Sequence, residues 1–91
     1  ILEIMQSVGQ ELGLSEDVAR QLASQTVLGA AQMAKSSDLS PAQLRQQVTS
    51  PGGTTECALN SFQQDNLDAI FRKAMKSAVT RAEQMSKDFS A

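Results

Sequence analysis

The sequence predicts an all-α fold of five helices, and three observations lead to that prediction. Helix-forming residues dominate the 91 positions, whereas β-branched and aromatic residues are few. Apolar residues recur at spacings of three and four, which is the period of a helix with one buried face. Five glycines and two prolines punctuate the chain between the periodic segments.

The first two helices are separated by a glycine corner. Apolar residues at helical spacing predict a first helix over Leu2–Leu12, and Gly13 suits the position after a helix end, where a left-handed residue is needed. This helix has no N-cap residue, so we expect it to continue a longer helix that is cut at Ile1. Ser15 predicts the N-cap of the second helix, which runs to about Ser36.

The second helix is apolar around much of its circumference. Its large apolar residues do not keep to one stripe, and small residues accompany them; the two sets are Val18, Leu22, Val27, Leu28 and Met33, and Ala19, Ala23, Gly29, Ala30, Ala31 and Ala34. Such a helix must be buried on more than one side, and small residues let another helix approach closely. Because 91 residues do not supply enough chain to cover it, we expect a partner chain.

The third helix has the best-formed start signal in the sequence. Ser40 and Gln43 have the spacing of a capping box, and Pro41 stands at the first helical position between them. Leu39 can support this start by packing against the apolar residue five positions later. The pattern predicts a short helix that ends near Val48.

Two more helices follow a glycine-containing loop. The fourth is opened by two threonines, and its apolar face carries Ala58, Leu59 and Phe62. Asp65 or Asn66 is expected to cap the fifth, which extends from about Leu67 to the late eighties. A long apolar stripe marks that helix, formed by Leu67, Ile70, Phe71, Ala74, Met75, Ala78, Ala82, Met85 and Phe89.

The composition excludes several classes of site. There is no His, and Cys57 is the single cysteine, so His metal sites, Cys clusters for zinc or iron–sulfur, a disulfide within the chain and His-based acid–base catalysis are all excluded. Only three aromatic residues are present, the net charge is −2 and the pI is about 4.9, which argues against nucleic acid as a partner. No apolar run is long enough for a membrane span. We therefore expect a soluble, cytoplasmic domain with no membrane contact.

The best candidate for chemistry is the segment Ser50–Thr55, which we call the glycine loop. Its two glycines allow positive φ and close approach of a ligand, and Thr54 and Thr55 open a helix whose free N–H groups attract anions. No Lys follows the glycines and no strand precedes them, so the loop is not a P-loop. Without a basic residue it suits a small carboxylate better than a polyphosphate. The plain alternative is a turn followed by a threonine cap.

Other reactive or charged residues are better explained by structure. Cys57 has no basic neighbour in sequence and is expected to fill the core. The four methionines fall on or near apolar stripes, so we expect them to pack rather than bind. The basic cluster Arg72, Lys73 and Lys76 is interpreted as a solvated helix face.

Two blocks of sequence resemble the C-terminal domain of pyrroline-5-carboxylate reductases. The blocks are Gln25-Thr26-Val27-Leu28-Gly29-Ala30-Ala31 and Val48-Thr49-Ser50-Pro51-Gly52-Gly53-Thr54-Thr55, and their separation matches as well. The resemblance covers nearly the whole chain. It implies that residues 1–91 are one C-terminal helical dimerisation and substrate-binding domain, a fragment of a longer reductase.

The resemblance also implies an activity and a division of labour. Enzymes of this family reduce 1-pyrroline-5-carboxylate to L-proline with NADPH or NADH, and an N-terminal Rossmann domain binds the nucleotide. The helical domain forms an interlocked homodimer, sometimes assembled further into a decamer. In the family the glycine loop holds the substrate carboxylate; the matching residues here are Ser50, Gly53, Thr54 and Thr55. Thr55 matches the residue whose hydroxyl faces the ring nitrogen, which implies a catalytic role as hydrogen-bond or proton donor.

The nucleotide-binding part is missing from these 91 residues. They contain neither the GxGxxG motif nor a βαβ pattern, so we expect no cofactor binding and no hydride transfer from them alone. Two other functions fit the helical pattern: a non-enzymatic dimerisation or adaptor module, and the all-α domain of a different Rossmann-type dehydrogenase. The adaptor would have no use for the glycine loop, so that loop discriminates between them.

Overall fold

The computed structural model describes residues 1–90, which form five α-helices and no strand, as predicted. The helices are α1 (Leu2–Glu11), α2 (Glu16–Ser36), α3 (Pro41–Gln47), α4 (Thr54–Gln64) and α5 (Leu67–Ser90). They fall into two compact units: Ile1–Gln47, with α1 to α3, and the residues from Val48 on, with α4 and α5.

The corner between α1 and α2 is built on Gly13, as the sequence predicted. Gly13 has a φ of +104°, and its N–H donates to the Gln10 carbonyl at 3.0 Å. The Leu14 N–H donates to the Gly9 carbonyl at 3.1 Å. These two bonds define a Schellman motif, which satisfies carbonyls that the helix end would otherwise leave free. Ser15 then caps α2 by accepting the Val18 N–H at 3.3 Å.

The closest packing in the first unit lies between α1 and α2. A Cβ placed on Gly9 would lie 3.1 Å from the Ala19 Cβ, so the two helices touch where neither has a large side chain. Ala19 and Ala23 are 2% and 7% exposed, and no other apolar residue in the described chain is buried. The core of this unit is therefore a seam of small residues on one side of α2.

The predicted capping box of α3 is present with both of its hydrogen bonds. The Gln43 N–H donates to the Ser40 hydroxyl at 3.2 Å, and the Ser40 N–H donates to the Gln43 Oε1 at 2.8 Å. Each side chain satisfies a backbone donor that the start of the helix leaves free. Leu39 and Leu44 are both half-buried beside this box.

The short link between α4 and α5 contains one residue in the left-handed conformation. Asn66 has a φ of +56°, and its N–H donates to the Gln63 carbonyl at 3.2 Å, which ends α4. Its own carbonyl accepts the Ile70 N–H at 3.1 Å, which starts α5. Of the two predicted caps, Asn66 is therefore the one that opens α5, while Asp65 is the C-cap of α4. Asparagine tolerates the left-handed region better than other residues with a side chain.

Most large apolar side chains are exposed in the single chain. Leu22, Leu28 and Met33 on α2 are each about half exposed. On α5, Ile70 is 58% and Met75 is 66% exposed. The apolar stripes predicted from the sequence are therefore present, but residues of the same chain leave them uncovered. Exposed apolar patches of this kind are typical of interaction surfaces.

We expect Gly9→Val to destabilise the first unit by about 1–3 kcal/mol, because its added methyl groups meet Ala19 where no space exists. The free energy of unfolding in urea measures this. The control is Gln10→Val, which places the same side chain one position along on the exposed face of α1. Equal stability of the two variants would contradict the close packing of α1 on α2.

Candidate functional site

The glycine loop begins with a tight turn that its sequence specifies. The Gly53 N–H donates to the Ser50 carbonyl at 3.0 Å, which closes a four-residue turn. Pro51 and Gly52 occupy its two central positions, and Gly52 has a φ of +72°. Proline followed by a residue with positive φ is the arrangement of a type II turn. Pro51 and Gly52 thus have the conformational roles that the sequence indicated.

Gly53 has a different role from the one that its sequence pattern predicts. Its φ is −84°, so it does not need the left-handed freedom of glycine. It is the N-cap of α4, and a Cβ placed on it would lie 3.1 Å from the Ser50 carbonyl oxygen and 3.5 Å from the Ser50 Cβ. The absence of a side chain at Gly53 therefore allows the turn to fold closely against the start of the helix.

The first turn of α4 presents backbone donors at the end of this loop. Thr54, Thr55 and Glu56 come too early in the helix for their N–H groups to find a carbonyl four residues back. The helix dipole places partial positive charge at the same point. The Cys57 N–H is the first to bond, to the Gly53 carbonyl at 3.2 Å. Three adjacent amides are thus available to an anion.

Three residues with hydroxyl groups belong to the same segment as these amides. Within residues 1–90 no hydrogen bond is described for the hydroxyls of Ser50, Thr54 or Thr55. Ser50 and Thr54 are exposed, whereas Thr55 is half-buried. The structure therefore places all the predicted substrate-binding residues in one continuous segment, with hydroxyls and amides near the same helix end. Their chemistry suits one small carboxylate, because the segment contains no cationic side chain.

Glu56 is a residue of this segment that the sequence pattern did not single out. Its Oε1 accepts the Gly52 N–H at 3.3 Å, so a side chain of α4 reaches back to the turn. It occupies the third helical position, where Glu commonly returns to a donor before the helix. The signal that could have revealed it is the spacing of Glu56 four residues after Gly52.

Two of the other sequence expectations need correction for the single chain. Cys57 was expected to fill the core, but it is exposed. Met33, Met75 and Met85 were expected to pack, and all three are exposed as well, while Met5 is half-buried. Each of these predictions assumed that the residue's own chain would cover it, and the uncovered apolar stripes show why that assumption failed.

Two open grooves run along the polar faces of single helices. The groove on α5 is lined by the basic cluster together with small and hydroxyl residues, namely Ala69, Arg72, Lys73, Lys76, Ser77 and Thr80. The groove on α2 is lined by Asp17, Arg20, Gln21, Ser24 and Gln25. Neither groove includes a residue of the glycine loop.

The described part of the chain contains neither a metal-binding cluster nor a membrane-spanning helix. Among residues 1–90, no three His, Cys, Asp or Glu side chains come together as a metal site would require. None of the five helices is both long enough and apolar enough to cross a bilayer.

Comparisons with known proteins point to one family. The family model for pyrroline-5-carboxylate reductase dimerisation matches residues 1–85. Pyrroline-5-carboxylate reductase from Pseudomonas aeruginosa is 45% identical over 86 residues, which are 94% of this chain and 32% of that protein. The enzyme of the same name from Pisum sativum is 42% identical over 85 residues, 93% of this chain and 31% of that protein. The chain thus spans about a third of the length of these relatives.

Solved structures give the same result. A pyrroline-5-carboxylate reductase from Coxiella burnetii superposes with a TM-score of 0.85 at 48% identity, over 91% of this chain and 31% of that one. A pyrroline carboxylate reductase from Plasmodium falciparum, solved with NADP bound, superposes with a TM-score of 0.82 at 31% identity. That match covers 85% of this chain and 29% of the Plasmodium chain.

We expect Gly52→Ala to lower the free energy of unfolding by about 1–2 kcal/mol, because a residue with a Cβ is strained at a φ of +72°. No atom lies within 4 Å of the added Cβ, so the cost is conformational rather than steric. Gly52→Asn is the matched variant and should lose less, since Asn tolerates the left-handed region. Urea unfolding measures both. Equal losses for Ala and Asn would mean that the positive φ is not the cause.

Proposed function

The chain belongs to the pyrroline-5-carboxylate reductase dimerisation family, and from this we propose that it is the C-terminal dimerisation and substrate-binding domain of such a reductase. The single observation that carries the proposal is the family match over residues 1–85, which includes the whole glycine loop. The relatives reported above are all reductases of pyrroline carboxylates, which favours this function over an adaptor module or a different dehydrogenase.

The proposed reaction is the reduction of 1-pyrroline-5-carboxylate to L-proline. NADPH or NADH supplies a hydride to the carbon of the C=N bond, and the ring nitrogen gains a proton. NADP in the Plasmodium structure supports a nicotinamide cofactor for the full-length enzyme. The 91 residues contain no GxGxxG motif, so we expect them to contribute substrate binding and not cofactor binding.

The glycine loop is the proposed site for the substrate carboxylate. The amides of Thr54 and Thr55 can donate to the two carboxylate oxygens, and the helix dipole favours the same negative charge. Ser50 adds a hydroxyl from the other side of the turn, and the missing side chain of Gly53 keeps the approach open. Hydrogen bonds to a charged acceptor are stronger than those between neutral groups. A site made of amides and hydroxyls therefore binds a carboxylate without a cationic side chain.

Thr55 is the proposed catalytic residue. The carboxylate of the substrate is attached to a ring carbon next to the nitrogen, so a group that touches the carboxylate is also close to the nitrogen. Thr55 lies in the first turn of α4 and is half-buried. Among residues 1–90 its hydroxyl has no hydrogen-bond partner. It is available to donate a hydrogen bond or a proton to the ring nitrogen as the hydride arrives.

The proposed assembly is an interlocked homodimer in which α2 crosses the partner subunit. The family match to a dimerisation domain supports homo-oligomerisation. Gly29 lies in the middle of α2, and a Cβ placed there would meet no atom within 4 Å. Leu28 beside it is 51% exposed. The small residues of α2 thus have space that a second helix can occupy, and a decamer of such dimers is the larger assembly that this family suggests.

In a full-length reductase that carries these residues, Thr55→Ala should lower kcat/KM for 1-pyrroline-5-carboxylate by about tenfold or more, because a positioned proton donor contributes at least that much. Thr55→Ser keeps the hydroxyl and should retain most of the activity. Steady-state kinetics measure both, and titration with NADPH should give the same affinity for all three proteins. An unchanged kcat/KM in Thr55→Ala would remove Thr55 from the mechanism.

A further inference from the structure

We infer that Glu56 is a positioning residue, which holds the glycine loop in the shape that binds the substrate carboxylate. The inference rests on the proposed function, because it assigns a role within the same site. It starts from one contact: the Glu56 carboxylate accepts the Gly52 N–H at 3.3 Å. Among the described residues, this is the one hydrogen bond that joins a side chain of α4 to the turn Ser50–Gly53.

This contact fixes the part of the loop that is least restrained by its sequence. Gly52 has a φ of +72°, no side chain and no atom within 4 Å of where a Cβ would be. Pro51 fixes its own φ but has no N–H to donate. The turn bond from Gly53 to the Ser50 carbonyl restrains the two ends of the turn, and the Glu56 bond restrains its centre. Together they link the turn to the first turn of α4.

The position of the turn matters because the proposed carboxylate site has two sides. The amides of Thr54 and Thr55 belong to the helix, whereas the hydroxyl of Ser50 belongs to the turn. These groups converge on one ligand only if the turn keeps its distance from the helix start. A displacement of about 1 Å is enough to lose much of the benefit of a preorganised site. Glu56 holds that distance without touching the ligand.

A second property of Glu56 makes the inference testable. The Glu56 carboxylate lies at the same helix end that is proposed to bind the substrate carboxylate. The two negative charges repel each other, so the charge of Glu56 by itself opposes substrate binding. The hydrogen bond helps binding and the charge hinders it. Glu56→Gln keeps an oxygen that accepts the Gly52 N–H and removes the charge. Glu56→Ala removes both. The substrate KM is therefore expected to rise in Glu56→Ala and to stay equal or fall in Glu56→Gln.

The first measurement is amide hydrogen exchange on the 91-residue chain. In Glu56→Ala the Gly52 amide hydrogen should exchange several-fold faster than in the unsubstituted chain, whereas in Glu56→Gln its exchange rate should stay close to that of the unsubstituted chain.

The second measurement is steady-state kinetics in a full-length reductase with these residues. Glu56→Ala should raise KM for 1-pyrroline-5-carboxylate by about three- to tenfold with kcat and the KM for NADPH little changed, whereas Glu56→Gln should leave the substrate KM equal or lower. Glu16→Ala, which removes an acidic residue from the first turn of α2, is the control and should change neither quantity.

The possible outcomes separate the inference from the proposed function. One outcome is that Thr55→Ala lowers kcat/KM while Glu56→Ala changes neither the exchange rate of the Gly52 amide nor the substrate KM. In that case the positioning role of Glu56 is wrong, and the proposed carboxylate site is unaffected. If Glu56→Gln raises the substrate KM as much as Glu56→Ala, an oxygen that accepts the Gly52 N–H is not what supports binding, and the inference is overturned. If Thr55→Ala has no effect, the proposed site itself fails. Should Glu56→Ala not fold, Glu56→Asp, whose carboxylate is one methylene shorter, replaces it with the same expectations.

Discussion

The structure depends on apolar surface that one chain cannot bury. Large apolar side chains of both units are exposed, among them Leu28 on α2 and Met75 on α5. Only Ala19 and Ala23 are buried apolar residues among those described. We therefore expect folding of these helices and association with a second chain to be coupled, with the second chain supplying the missing core.

The same constraint explains why the candidate site is made mainly of backbone. A helix start needs no packed core to present its amides, since helix geometry alone leaves them free. The turn ahead of α4 is closed by the bonds of Gly53 and Glu56, which are local in sequence. The site is thus specified by the consecutive residues Ser50–Glu56, while the large surfaces of α2 and α5 remain available for assembly. The proposed site is also compatible with a chain that contains no His, because its proposed ligand needs hydrogen-bond donors and not a base.

Local signals predicted most of the fold and part of the site. Gly13, Ser15 and the pair Ser40 and Gln43 act through hydrogen bonds within a few residues, so their roles could be predicted from spacing alone. The contact between Gly9 and Ala19 could not, because it depends on which face of α1 meets α2. Two further departures concern Gly53 and Cys57. Gly53 has a negative φ and serves close approach, and Cys57 is exposed in the single chain instead of filling its core.

We propose that a second copy of this chain covers the exposed apolar faces of α2 and α5. Sedimentation equilibrium on the 91-residue chain, combined with circular dichroism to show that the sample is helical, measures whether it does. We predict a mass of twice 9.7 kDa that persists on dilution until helicity is lost along with association. A helical chain that sediments at 9.7 kDa at high concentration would contradict the claim, because its apolar surface would then be stable in water without a partner.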